Sequence, residues 1–156
     1  FDPNLQGRFL RPVGTPVPTG RGIVCPHTHH DRPRYRMFGT HRDRCPEFLA
    51  GDHTRLRELL HPAKAELQLG YSLAHGFLDP GKQSLWHRLT SSEVYYFIAG
   101  RGLMKVEEES MPVEAGSVIY VPPGSKQALL NTGTSPIEFL CLVDPAWKAE
   151  DEAVVE

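Results

Sequence analysis

His87 and Glu93, an imidazole and a carboxylate six residues apart, are the side chains of this 156-residue chain best placed to do chemistry. They stand in the stretch Gly81 to Gly100, where the residues alternate as they do in strands. Alternate side chains of an extended strand share a face, so Leu85, His87 and Leu89 point one way and Trp86 and Arg88 the other. After the connection Thr90, Ser91, Ser92, the residues Glu93, Tyr95 and Phe97 line one face of the next strand, and Val94, Tyr96 and Ile98 line the other until Gly100 ends it. Read as a hairpin, the two strands bring His87 and Glu93 side by side. A neutral imidazole beside a carboxylate begins a divalent-metal site, because both are good donors to a borderline or hard cation.

A second group of metal-type side chains lies nearer the start. Cys25, His27, His29 and His30, followed by His41 and Cys45, collect two thiols and four imidazoles. Their spacing matches no familiar zinc motif, and three readings stand: a second metal site, a solvated basic tail, and a Cys25–Cys45 disulfide in an oxidising place. His53 and His61 read as surface or cap residues, and Arg88 as a solvated or dimer-face charge.

The elements that must position these groups divide the chain in three. Residues 1–46 are rich in proline, glycine, arginine and histidine without apolar periodicity, and form an irregular arm that cannot build its own core. Residues 1–45 hold eight arginines against three aspartates, a net of +5, which leaves −7 on residues 46–156 to reach the total of −2. That total predicts no general affinity for nucleic acid. No apolar run approaches the roughly 18 residues of a membrane span. No charged-then-apolar leader opens the chain, although Phe1 in place of Met leaves room for a removed one. Cys141, in the apolar run Ile137 to Val143, reads as a buried reduced thiol, which favours a cytoplasmic setting.

Residues 47–147 read as a series of short strands. A short strand or helical turn closes at Pro62, one or two strands occupy Ala65 to Leu78, and a turn covers Asp79 to Lys82. After the His87 and Glu93 strands come Gly102 to Val106, a charged tip at Glu107 to Ser110, and a return through Val113. Gly116 to Val121, Lys126 to Asn131 and Pro136 to Val143 follow. Many short strands with almost no helical periodicity mean an all-β sandwich or barrel. Within Leu73 to Leu78, either Leu73, His75 and Phe77 or Ala74, Gly76 and Leu78 face inward. Residues 148–156 are an acidic tail.

The stretch Gly81-x5-His87-x-Leu89-x3-Glu93-x6-Gly100 resembles the first motif of the cupins, and Gly116-x5-Pro122-x-Gly124-x2-Gln127-x3-Asn131 resembles the second. The resemblance covers roughly residues 47–147. It implies a cupin-type jelly-roll β-barrel with a pocket between its sheets, usually dimeric, with the arm outside it. The usual ligand set is three histidines and a glutamate. Here Leu89 and Gln127 stand where the second and third histidines do, so the implied metal ligands are His87, Glu93 and Gln127 with Leu89 as an apolar wall. Such a set takes manganese, iron(II) or zinc with water or substrate completing the shell, and lacks the two-histidine facial triad of oxygenases. The alternative is a hydrogen-bonded polar cluster that holds no metal. Tyr95, Phe97 and Leu129 frame the pocket in either case.

Two functions follow from the resemblance. One is a metal-dependent isomerase, lyase or dioxygenase acting on a small polar metabolite, with Tyr95 or water assisting proton transfer. The other is a homodimeric, non-catalytic module that binds a small metabolite in a metal-free pocket.

Overall fold

The computed structural model describes residues 37–155. Eleven strands form two antiparallel sheets, so the chain is all-β as expected. The larger sheet takes β1 (Glu47–Leu49), β2 (Arg55–Leu60), β3 (Ser72–Leu78), β5 (Ser92–Ala99), β8 (Val118–Val121) and β10 (Ile137–Asp144), in the order β1-β2-β3-β10-β5-β8. The smaller takes β4 (His87–Leu89), β6 (Arg101–Val106), β7 (Glu109–Glu114), β9 (Gln127–Asn131) and β11 (Glu152–Val154), in the order β11-β4-β9-β6-β7. The core lies between the two faces. From the larger sheet come Tyr95, Phe97, Val121, Ile137, Phe139 and Cys141, and from the smaller Leu89, Met104, Val113 and Leu129. The two-residue period is plain in β10, whose residues 137, 139, 141 and 143 are buried while their neighbours are not.

Several elements depart from the reading of the sequence. The hairpin between the His87 and Glu93 strands does not form. β4 pairs with β11 and β9, β5 pairs with β10 and β8, and the chain crosses from one sheet to the other at Thr90 and Ser91. Two backbone bonds hold β4 in the smaller sheet at that crossing, Thr90 N–H to Asp151 O at 3.0 Å and Gly124 N–H to Leu89 O at 2.6 Å. The acidic end is no tail: its Glu152–Val154 is β11, an edge strand on β4. Pro62–Ala65 forms a helical turn, α1, with His61 as its cap: His61 Nδ1 accepts from Ala63 N–H at 3.2 Å. Arg42–Arg44 is a 3₁₀ turn joined to the larger sheet, Arg42 donating to Glu138 at 2.7 Å.

Two glycines show why the backbone goes where it does. Gly100, the last residue of the first motif, has φ +81°, and a Cβ there would lie 2.6 Å from the Pro136 carbonyl oxygen. Only glycine turns the chain so tightly against β10. Gly76 in β3 lies under the Phe139 ring, which occupies the space a Cβ would need. Ala74, Gly76 and Leu78 are therefore the inward set of β3, and His75 faces the other way.

Candidate functional site

The two sheets enclose a cavity of about 230 Å³. His87 enters it from β4, and Glu93 and Tyr95 from β5. His87 and Glu93 thus meet across the sandwich rather than along one hairpin, each from the inward register of its own strand. Both are buried, at 5% and 4% exposure.

The His87 ring is oriented by its own strand. Nδ1 lies 3.1 Å from the Leu85 carbonyl oxygen, which can only accept, so Nδ1 carries the hydrogen and Nε2 is the lone-pair nitrogen of the neutral ring. Asp52 stands behind it, Oδ2 being 3.7 Å from the same Nδ1. Asp52 is fixed by Thr54, whose N–H donates at 3.0 Å and whose hydroxyl donates at 2.6 Å. Leu85 N–H donates to the Asp52 carbonyl at 2.7 Å and ties this turn to the approach of β4.

Glu93 is surrounded by neutral donors. Tyr95 Oη donates to Oε1 at 3.1 Å, Cys141 Sγ donates to the same oxygen at 3.4 Å, and Gln127 Nε2 donates to Oε2. Burial raises the proton affinity of the carboxyl above the ordinary range. His87 in its protonated form would oppose this, as do the bonds from Gln127, Cys141 and Tyr95, without overcoming it. Burial first, and then the charge of Glu93, push the Tyr95 hydroxyl and the Cys141 thiol well up. Both therefore keep their hydrogens and remain donors.

The structure brings His87, Glu93 and Gln127 together, with His87 opposite Gln127 in the β4–β9 ladder. The donor set does not fit the implied ion. Gln127 is fully buried and does not line the cavity; its amide nitrogen faces Glu93, and its Oε1 is buried without a partner. Turning the amide over would set Oε1 against a carboxylate oxygen, which repels it. Leu89 closes the remaining place with hydrocarbon, and among the described residues no three His, Cys, Asp or Glu side chains are grouped as a metal site. Gln127 holds Glu93 in place, and no step is assigned to a metal.

Of the expected pocket frame, Tyr95 and Leu129 line the cavity, whereas Phe97 lies in the core beside it. His75 is buried on the opposite face of β3, its Nε2 2.6 Å from Glu138 Oε1, which also takes Arg42. Arg88 is exposed and donates to the Gly124 carbonyl at 3.3 Å. Cys45 is a buried free thiol 3.6 Å from the His41 carbonyl, and His41 Nδ1 accepts from Asp43 N–H at 3.3 Å. Cys25, His27, His29 and His30 lie outside the described residues, so the second-metal and disulfide readings are not placed. Asp52 and Cys141 are site residues that the motifs do not name. The alternation of β10 already put Cys141 on an inward face, in register with Tyr95; nothing in the sequence ties Asp52 to His87.

Comparison with known proteins follows the same line. A family model described as Cupin domain matches residues 75–143. An uncharacterised protein of Methanocaldococcus jannaschii, MJ1618, is 34% identical over 122 residues, covering 78% of this chain and 97% of that protein. Glucose-6-phosphate isomerase of Thermococcus kodakarensis is 30% identical over 97 residues, 59% of this chain and 47% of that enzyme, so the chain spans about half of its length. Among solved structures, a Cupin 2 conserved barrel domain protein from Salinispora arenicola superposes with a TM-score of 0.61 at 22% identity, over 74% of this chain and 92% of that one, a likeness of fold. Motif, sheet order and relatives agree, and the chain belongs to the cupin superfamily.

Proposed function

We propose that the barrel binds a small metabolite in the cavity between its sheets, with His87 and Glu93 at the polar end of the site. The observation that carries this is the cavity of about 230 Å³, mostly apolar in its walls, which the buried His87 lines, its Nε2 having no hydrogen-bond partner among the described residues. A concave apolar chamber with a few convergent polar groups is the usual form of a small-molecule site. Proton transfer is the chemistry this pair supplies. The lone pair of a neutral His87 ring at Nε2 can accept a hydrogen, and burial raises the proton affinity of the Glu93 carboxyl above the ordinary range. Tyr95 keeps its proton and holds Glu93, so its part is positioning. The unpaired thiols Cys45 and Cys141 suit a reducing, cytoplasmic setting.

The test is a fragment titration of the full chain, followed by the methyl resonances of Met104 and Leu129 on the cavity wall. Fragments are expected to shift both, and Ala74→Leu, which fills the cavity from β3, is expected to abolish the shifts. A fragment set that leaves both methyls unmoved refutes the proposal.

The likeness to a glucose-6-phosphate isomerase favours a second reading, an isomerase, for which the cupin resemblance implies manganese, iron or zinc at His87, Glu93 and Gln127 despite the poor fit of Gln127. Metal analysis of the purified protein decides it. Stoichiometric metal that is lost in His87→Ala supports it, and its absence after incubation with the three ions removes it.

A further inference from the structure

Most donors on the cavity wall are taken up by neighbours, which leaves chiefly acceptors open, and this restricts what can enter. Among the described residues four carboxylates line it, Asp52, Glu58, Glu93 and Glu152, and neither lysine nor arginine does. Of these only Glu58 is paired, among the described residues, with a lysine or arginine, Lys64 at 2.7 Å, whose side chain is largely in solvent. Glu152 takes the Trp147 indole N–H at 3.1 Å, a neutral donor, as Asp52 and Glu93 take neutral donors. Most side-chain hydrogens of the wall are already committed: Thr54 to Asp52, Ser84 to the Leu85 carbonyl at 3.3 Å, and Tyr95 and Cys141 to Glu93, while Ser72 Oγ accepts from Trp147 N–H at 3.0 Å. His87 adds a further acceptor. It is more than nine-tenths buried, it lines the cavity, its Nδ1 hydrogen goes to Leu85, and its Nε2 has no partner among the described residues.

We infer that the ligand of this cavity is a small protonated amine with an apolar body, and that anionic metabolites such as sugar phosphates and dicarboxylates are excluded. An ammonium group brings both the positive charge and the N–H donors that this wall lacks. Facing carboxylates in a low-dielectric chamber concentrate a cation and repel an anion. Phe48, Tyr95, Phe139 and Trp147 complete the wall, and aromatic rings attract a cation placed over their faces while packing against its hydrocarbon. The inference rests on the barrel cavity being a ligand site, and it sets this chain apart from the activity named for its isomerase relatives.

The experiment uses three probes of one skeleton: cyclohexylmethylamine, cyclohexylmethanol and cyclohexanecarboxylate. Each is titrated into the full chain at neutral pH, with the Met104 and Leu129 methyls reporting occupancy. The amine is expected to bind about tenfold or more tightly than the alcohol, with no entry of the carboxylate. Asp52→Asn and Glu152→Gln are each expected to weaken the amine several-fold while leaving the alcohol unchanged, which a general loss of folding does not do. Binding of the alcohol or the carboxylate as tight as that of the amine overturns the charge inference and leaves the cavity as a ligand site. If none of the three moves either methyl, both ideas fall. Raised salt is expected to weaken the amine alone.

Discussion

Tyr95→Phe removes one oxygen from the centre of the site and leaves the ring packing of Phe97 and Phe139 in place. The lost hydroxyl donates to Glu93 Oε1 at 3.1 Å, and both residues are buried. A hydrogen bond to a charged group contributes about 1.5–3 kcal/mol and a neutral pair about 0.5–1.5 kcal/mol. Since 3.1 Å is long for an O–H donor, the lower half applies, about 1.5–2 kcal/mol while Glu93 is ionised. The pH dependence fixes the sign. Burial already holds the folded-state proton affinity of Glu93 above its unfolded value, and the Tyr95 bond works against that rise. Glu93 therefore contributes stability below the ordinary carboxylate range, and that contribution is lost as pH climbs through its raised folded value. Without the hydroxyl the folded value climbs further, so the variant loses more over a wider window. The gap between wild type and Tyr95→Phe should be small in acid and widen towards neutrality. Urea unfolding of wild type, Tyr95→Phe, Glu93→Gln and the double variant measures it, and most of the pH dependence of the gap should vanish in the Glu93→Gln background. A cost that stays constant with pH, or that survives Glu93→Gln unchanged, refutes the reasoning.

Three further outcomes are open to direct measurement. Gly102→Ala would drive a Cβ into the Leu130 carbonyl oxygen across the β6–β9 ladder and to 2.6 Å from Ile137 Cδ1, costing about 1–3 kcal/mol in urea unfolding. Gly81→Ala, at φ +71° with open space around it, should cost only its left-handed strain of about 1–2 kcal/mol, and a smaller loss for Gly102 than for Gly81 would contradict the packing there. Cys141, with its thiol pushed up by burial and by Glu93, should resist iodoacetamide at neutral pH until the chain is unfolded; mass spectrometry showing native labelling at the unfolded rate would count against the site as drawn. Tyr96, Val118 and Tyr120 lie exposed on the outward face of β5 and the edge strand β8, and the expected homodimer is proposed to form there. Light scattering should give a dimer for wild type and a monomer for Tyr120→Glu, and a monomeric wild type would end that proposal.

What could be read in the sequence is what depends on one strand at a time. The side-chain period of two places Glu93, Tyr95 and Phe97 on the inner face of β5, and Ile137 through Val143 on that of β10, whatever the strands pair with. Pairing itself was not legible where it depends on distant residues. The short connection Thr90 to Ser92 reads as a hairpin because neighbouring strands usually pair, yet Asp151 and Gly124 supply the backbone partners that hold β4 in the other sheet. β11 was hidden for the same reason. Glu152, Ala153 and Val154 carry no alternation of their own and become a strand because β4 offers them an edge. Asp52 reaches His87 through an irregular turn, and no period places a turn residue.

Gln127 shows the limit of motif spacing in a sharper form. The spacing correctly puts residue 127 opposite His87, since that neighbourhood is set by the β4–β9 ladder. Whether its side chain serves the cavity or the carboxylate behind it is decided by packing, and the amide is buried away from the cavity with its nitrogen on Glu93. A donor there, with Tyr95 and Cys141 on the other oxygen, adds three neutral hydrogens to whatever charge His87 brings to the carboxylate. Burial outweighs the charge of His87 and these donors together, so the proton affinity of Glu93 stays raised. Glutamine at 127 and leucine at 89 act in the same direction. Together they leave a barrel whose buried acid and open imidazole line the cavity directly, and on the proposed reading its acceptor-rich wall asks a ligand to supply the hydrogens and the charge.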